Sequence, residues 1–263
     1  VQALTLGGLC DGTHAGFDAG ATAREPPVSQ ERSEVVVIRA VDFSETSRIV
    51  TFLSPDRGKL ACMAAGVRRP KSPLAGMLDT FNRLEVVYYW KDGRGVQKLG
   101  EATLLDGFGA LKADLEKGAY AAFPLEFAYK TAQENEPSRA IYDTLLSGLE
   151  GMCAWTGPAR VHAAWQVLQL LRVAGFDPDL NGEIEGKRSV GFSFDAGVTE
   201  PGQRADRSLL VEDLVRLRQM AEAQDQCPEV NDSPDVFQVL SGYAARQVEC
   251  EFRSLRVIAQ LFP

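Results

Sequence analysis

The chain has 263 residues, 45% hydrophobic and 24% charged, with a formal net charge of -8. At about 150 residues per domain this is one large domain or two small ones, and the composition excludes disordered and fibrous classes. Taken over the whole chain, the acidity argues against a surface that attracts polyanions everywhere.

Residues 1–33 are rich in Gly, Ala and Thr, contain Pro26 and Pro27, and show neither a period of 2 nor one of 3.6. They are expected to form a poorly ordered extension. The opening stretch has no basic n-region and no continuous apolar core, so it does not read as a secretory signal. No apolar run approaches the roughly 18 residues of a membrane span, and no membrane partner is expected.

From Glu34 the pattern changes to short β-rich runs. Val35 to Val41, Arg48 to Leu53 and Lys59 to Ala65 are predicted strands, with Pro55-Asp56-Arg57-Gly58 as a tight turn between the last two. A loop from Gly66 to Gly76 follows. Leu84 to Trp90 and Val96 to Leu105 are then joined through Lys91-Asp92-Gly93-Arg94-Gly95. Five strands in so short a stretch predict a small closed or partly closed barrel over residues 34–107, since closure removes exposed edges.

After Gly109 the period becomes helical. Leu111, Leu115, Ala119, Ala122 and Phe123 fall on one predicted helical face, with Pro124 as a bend or restart. Ser138 is the predicted N-cap of Arg139 to Trp155, and Pro158 starts Ala159 to Ala174, which Gly175 ends. Phe176 to Arg207 reads as an irregular loop with one short hairpin. Ser208 to Gln224 and Pro234 to Leu255 return to helix. The predicted class is α+β and multi-domain: a five-stranded barrel, then an α-helical domain over residues 108–263 with an insertion at 176–207.

Charge divides along the same boundary. Ser33 to Leu105 holds eleven Lys or Arg against eight Asp or Glu, while Asp106 to Pro263 holds fifteen against twenty-four. The densest run, Arg57, Lys59, Arg68, Arg69 and Lys71, has no acid within it. A charge run is commonly only a solvated face. On a small barrel, however, such cations track phosphates while exposed rings stack bases. The candidate rings are Phe43, Phe81, Tyr88, Tyr89 and Trp90. Strand alternation puts Tyr88 and Trp90 on one face and Tyr89 on the other, so only part of this set can be exposed.

Chemistry of other kinds finds little support. The five cysteines, Cys10, Cys62, Cys153, Cys227 and Cys250, form no ligand pair and suit a reducing cytoplasm. Of the two histidines, His14 lies in the extension and His162 on a helix near Trp165, neither with a sequence neighbour that suggests a triad. Gly58-Lys59 lacks the upstream glycine of a phosphate-binding loop, and Leu60 stands where Ser or Thr would reach magnesium. Asp177 and Asp179 flank Pro178 and read as turn formers. No enzymatic activity, metal site or cofactor is expected.

Several runs together resemble a known family. Ile38-Arg39-Ala40-Val41-Asp42-Phe43-Ser44-Glu45-Thr46-Ser47-Arg48-Ile49-Val50-Thr51, then Gly58-Lys59, then Gly66-Val67-Arg68-Arg69-Pro70-Lys71-Ser72-Pro73-Leu74-Ala75-Gly76 are similar to the N-terminal domain of the bacterial recombination mediator RecO family. The similarity continues through Phe81, Leu84 to Tyr88, Leu111 to Leu115 and Tyr120, and weakens after Phe176. It implies an OB-fold joined to a helical domain. It also implies binding of single- and double-stranded DNA, annealing of complementary strands coated with single-strand-binding protein, and RecA loading with RecR and, in some members, RecF. The positions matching the family's cations are Arg39, Arg48, Lys59, Arg68, Arg69 and Lys71; Arg57 joins that patch by charge alone. Many members carry two cysteine pairs that bind zinc after the helix ending here at Gly175. Asp177 to Gln203 has no cysteine, so zinc is not carried over, and Phe192 and Phe194 are expected to hold the loop. The competing classes are a protein-interaction scaffold whose barrel touches no DNA, and a metal-dependent nuclease.

Overall fold

The computed structural model describes residues 28–263. Five strands, β1 (Ser29–Asp42), β2 (Arg48–Ser54), β3 (Gly58–Ala64), β4 (Arg83–Trp90) and β5 (Gln97–Asp106), close into a barrel in the order β1-β2-β3-β5-β4. The β3–β5 pair is parallel and the others antiparallel, the strand order of an OB-fold. Strand β1 starts five residues earlier than the predicted domain boundary at Glu34. Its polar opening, Ser29 to Ser33, shows no alternation but is zipped to Trp90 through Val86 of β4. The expected extension is thus shortened at its C-terminal end, and its remainder, residues 1–27, lies outside the described residues.

The run Val35-Val36-Val37-Ile38 is apolar without alternation because both faces of β1 are covered. Val35 and Val37 point into the barrel with Phe52, Leu60 and Tyr88, whereas Val36 and Ile38 join Leu53 in the core of the helical region. Polar contacts lock the same junction. Glu34 Oε1 accepts hydrogen bonds from Arg83 Nε and the Tyr142 hydroxyl, both at 2.8 Å, and Arg83 Nη1 also reaches Glu150 at 3.2 Å. Burial and the facing Glu34 carboxylate push the Tyr142 hydroxyl well above the ordinary phenol range.

The helices are α1 (Gly109–Ala113), α2 (Leu115–Thr131), α3 (Arg139–Ala154), α4 (Ala159–Val173), α5 (Val211–Glu222), α6 (Pro234–Gln247) and α7 (Arg253–Leu261). The single helical face predicted from Leu111 onward is interrupted. Asp114 is extended and its side chain accepts from Lys117 N, capping α2 and resetting the phase. Leu115 is consequently 67% exposed, and the buried face runs through Tyr120, Phe123, Leu125 and Phe127. Helix α2 continues through Pro124. Ser138 sits at the N-cap of α3, but its hydroxyl bonds Glu136 O and not the helix. Helix α4 is buried on almost every side, so Val167, Leu170 and Leu171 are part of a cylinder and not of a stripe.

His162 of α4 is 1% exposed between the rings of Trp155 and Trp165, at 5.7 and 5.2 Å. Burial, with a smaller contribution from Lys117, lowers its pKa to about 4, so it is neutral at physiological pH.

Within the insertion, β6 (Ser189–Ser193) and β7 (Gly197–Thr199) form the predicted hairpin, and β8 (Arg207–Leu210) at its C-terminal edge adds a third strand, in the order β7-β6-β8. Ser208 to Leu210, predicted as the start of a helix, instead pairs with β6, so α5 begins at Val211. Phe192 is fully buried against Tyr243 and Phe194, and Arg218 donates to the carbonyls of Leu180 and Gly182. The helix predicted from Pro234 to Leu255 is two, broken where Glu249 takes a φ of 51°. Among the described residues, no helix is long and apolar enough to cross a membrane.

Candidate nucleic-acid interface

The outer face of the barrel is ordered by strand register. Val41, Ile49, Met63, Lys98 and Tyr89 are successive direct partners across β1, β2, β3, β5 and β4, so they form one outward row. Tyr89 is 36% exposed, with Lys98 Nζ 5.5 Å from its ring. A second row reads Arg39, Thr51, Ala61, and Lys59 lies two residues further back along β3. The face is therefore a strip of largely uncharged side chains with Lys98 among them, bordered by further cations.

One end of this strip is built from two loops. In the β1–β2 loop, residues 43–47, Phe43 projects with 59% of its surface exposed. The longer β3–β4 loop is a succession of tight turns, with Arg69 N, Ser72 N, Ala75 N and Met77 N each donating three residues back. Its Val67 and Leu78 plug the barrel core. Arg68 ties the two loops together: its backbone N–H donates to Thr46 O at 3.0 Å and its Nη1 to Ser44 O at 2.9 Å. Arg68 and Arg48 also share the carboxylate of Asp42, at 3.5 and 3.0 Å. Arg69 and Lys71 of this loop are exposed, and Lys71 is held at a φ of 66°. That left-handed conformation costs a non-glycine residue about 1–2 kcal/mol, a strain of the kind that gathers at binding sites.

The sequence-predicted cations do not form one patch. Strand β3 separates Lys59 from the β3–β4 loop by about 20 Å. Arg57 sits in the β2–β3 turn at the opposite end of the hairpin from Arg48. Its guanidinium is committed, at 2.7 Å from Glu31 Oε1 and 4.1 Å over the Trp90 ring, while Glu31 also accepts from Tyr88. Burial alone would lower its pKa, but Glu31 holds it raised. Among the described residues, no carboxylate pairs with Arg39, Lys59, Arg69 or Lys71. Of the candidate rings, Tyr88 and Trp90 are buried and Phe81 is half-buried, which leaves Phe43 and Tyr89 available. Lys98 was not among the predicted site residues, and only its register beside Tyr89 brings it to the face.

Two family models match in succession, the N-terminal model of recombination protein O over residues 28–108 and its C-terminal model over residues 112–256. The chain belongs to the recombination protein O family. The C-terminal match extends the likeness past Phe176, where sequence similarity weakens, and across the cysteine-free insertion. Similar proteins include the DNA repair protein RecO of Exiguobacterium sibiricum, 34% identical over 165 residues that cover 62% of this chain and 65% of that protein. The DNA repair protein RecO of Anaeromyxobacter sp. strain K is 34% identical over 167 residues, with the same coverage. That of Salinibacter ruber is 32% identical over 149 residues, 56% of each chain. The matched region thus spans less than two thirds of these relatives. Among the described residues, no group of three His, Cys, Asp or Glu side chains is placed to hold a metal ion.

Proposed function

We propose that this chain is a recombination mediator in DNA repair that binds DNA through the outer face of its barrel. The supporting observation is the strip itself. A largely uncharged row holding Tyr89 beside Lys98, with Phe43 exposed on the adjoining loop and bordered by Arg39, Lys59, Arg69 and Lys71 without carboxylate partners, offers stacking surfaces between phosphate contacts. Arg48 and Arg68 shape the loops through Asp42 and lie within reach of the same backbone. The phosphate contacts read no sequence and serve single- and double-stranded DNA alike, whereas stacking on the rings favours unpaired bases. The further role follows the family: annealing of strands coated with single-strand-binding protein and assistance to RecA loading with RecR, in the cytoplasm and without enzymatic turnover.

Strand annealing with and without bound single-strand-binding protein tests this. Annealing that persists on coated strands is expected. Failure to anneal at concentrations where the chain binds both strands would overturn the mediator role. In direct binding, the double variant Arg69→Gln, Lys71→Gln should make the salt dependence on single strands shallower by about 1.4 in log–log slope.

A second reading, a protein-docking scaffold without annealing, is favoured by an apolar cavity of about 560 Å³ among α2, α4, α6 and α7, walled by Tyr120, Phe237, Ile258 and Phe262. Capture of single-strand-binding protein and RecR in the presence of nuclease, by a chain that binds no DNA, would select it.

A further inference from the structure

The unpaired cations of the barrel continue across the domain boundary. Arg39 of β1 and Lys59 of β3 both stand over the ring of Tyr129 in α2, at 5.4 and 5.3 Å from its centre. Arg39 Nη1 donates to the Tyr129 hydroxyl at 2.6 Å. Because that oxygen is used as an acceptor, the hydroxyl hydrogen is still available to donate.

Beside Tyr129 a groove of about 410 Å³ opens between β1, α2 and α7. Lys130 and Arg253 stand on its walls, both exposed and, among the described residues, neither paired with a carboxylate. The acid in the lining, Glu126, is engaged by the first turn of α7. Its oxygens accept from Arg253 N at 3.1 Å, Ser254 N at 2.9 Å and Ser254 Oγ at 2.7 Å, so its charge is partly offset by the positive end of α7.

We propose that this groove is a second phosphate-binding segment, taking the strand that leaves the β2–β3 face and contacting it through Tyr129, Lys130 and Arg253. The proposal rests on the DNA reading above. What favours nucleic acid over an acidic protein segment is continuity. Arg39 and Lys59 border the barrel strip and also flank Tyr129, so one extended polyanion can contact both.

The test uses the full chain, labelled oligo-dT and three variants: Lys130→Gln with Arg253→Gln, Tyr129→Phe, and Arg69→Gln with Lys71→Gln. Lys130 and Arg253 are exposed, so the first variant should melt as the wild type does. On an oligonucleotide of about 30 nucleotides it should show a salt slope shallower by about 1.4, about a sevenfold smaller loss of affinity over a fourfold rise in salt. On one of about 8 nucleotides, which the barrel alone can hold, it should match the wild type. Tyr129→Phe, which removes only the hydroxyl, should weaken binding of the long oligonucleotide alone. If the groove variants bind the long strand with wild-type slope and affinity while the loop variant is impaired, the barrel is the whole site and the proposal fails. It also fails if the groove variant loses only an oligo-glutamate peptide, which would make the groove a protein site. A wild-type chain that binds neither oligonucleotide overturns the DNA reading itself, a result distinct from both.

Discussion

Gly58 tests whether the barrel and the helices are held as one body. It opens β3 with a φ of 56°, beneath the connector between α2 and α3. Lys59 N donates to Gln133 O at 2.8 Å, and Ser138 N to Pro55 O at 2.9 Å. A Cβ on Gly58 would overlap the Gln133 carbonyl oxygen and lie 2.5 Å from Glu136 O and 2.9 Å from Ser138 Oγ. Two of these neighbours are backbone, so no side-chain rotation relieves the clash. Restoring ordinary contact requires the connector to retreat by about 1 Å. The left-handed backbone costs alanine about 1–2 kcal/mol and the overlap about 1–3 kcal/mol more. Gly58→Ala should therefore destabilise by about 2–5 kcal/mol. The control is Gly93→Ala, at a φ of 74° with nothing within 4 Å of its Cβ, which carries the conformational cost alone. Urea unfolding of both variants separates the two terms. Equal destabilisation would refute the idea that the connector is wedged against β3. At sub-denaturing conditions Gly58→Ala should also weaken DNA binding, because Lys59 is aligned with Tyr129 across this contact.

Three further outcomes follow from single residues. With a pKa of about 4 in the fold against 6.5 when unfolded, neutral His162 contributes stability that is complete above pH 6.5 and is lost as pH falls towards 4. The limit is about 3 kcal/mol. His162→Leu should flatten that part of a pH series of urea midpoints, and parallel profiles for variant and wild type would refute the assignment. Phe192→Ala, at a fully buried ring between Phe194 and Tyr243, should cost about 3–5 kcal/mol and expose residues 176–207 to limited proteolysis before the barrel is cut. Arg57→Gln should lower stability by about 1 kcal/mol, through Glu31 and Trp90, while leaving the salt slope of DNA binding unchanged. A shallower slope would return Arg57 to the interface.

The barrel strands were legible because turn chemistry punctuates them, at Pro55 to Gly58 and at Lys91 to Gly95. What failed to show locally was whatever distant partners determine. Ser29 to Arg32 has no strand pattern and becomes a strand by pairing with β4. Ser208 to Leu210 resembles a helix start until β6 captures it. The phase of α2 depends on one Asp114 side chain turning back to cap it. The same limit applies to the site. A count of cations along Arg57 to Lys71 cannot distinguish Arg69, which is unpaired, from Arg68, whose partner Asp42 lies 26 positions earlier. Tyr129 and Arg253 carry no sequence signal that would place them beside Arg39.

The net charge of -8 has a structural meaning once pairing is considered. A cation held by a carboxylate presents little field beyond its partner, whereas an unpaired one attracts phosphate at long range. Arg57 and Arg83 are engaged in stabilising the barrel and its junction with the helices. Arg48 and Arg68 converge on Asp42, so that one carboxylate fixes the geometry of two loops. Arg39, Lys59, Arg69 and Lys71, together with Lys130 and Arg253, are among the described cations that pair with no carboxylate, and they are the ones the proposed path uses. They lie along the outer strip, its loop end and the groove beside Tyr129. With acidic residues outnumbering basic ones over Asp106 to Pro263, the proposed path would be favoured over the rest of the helical surface by a DNA strand approaching at long range.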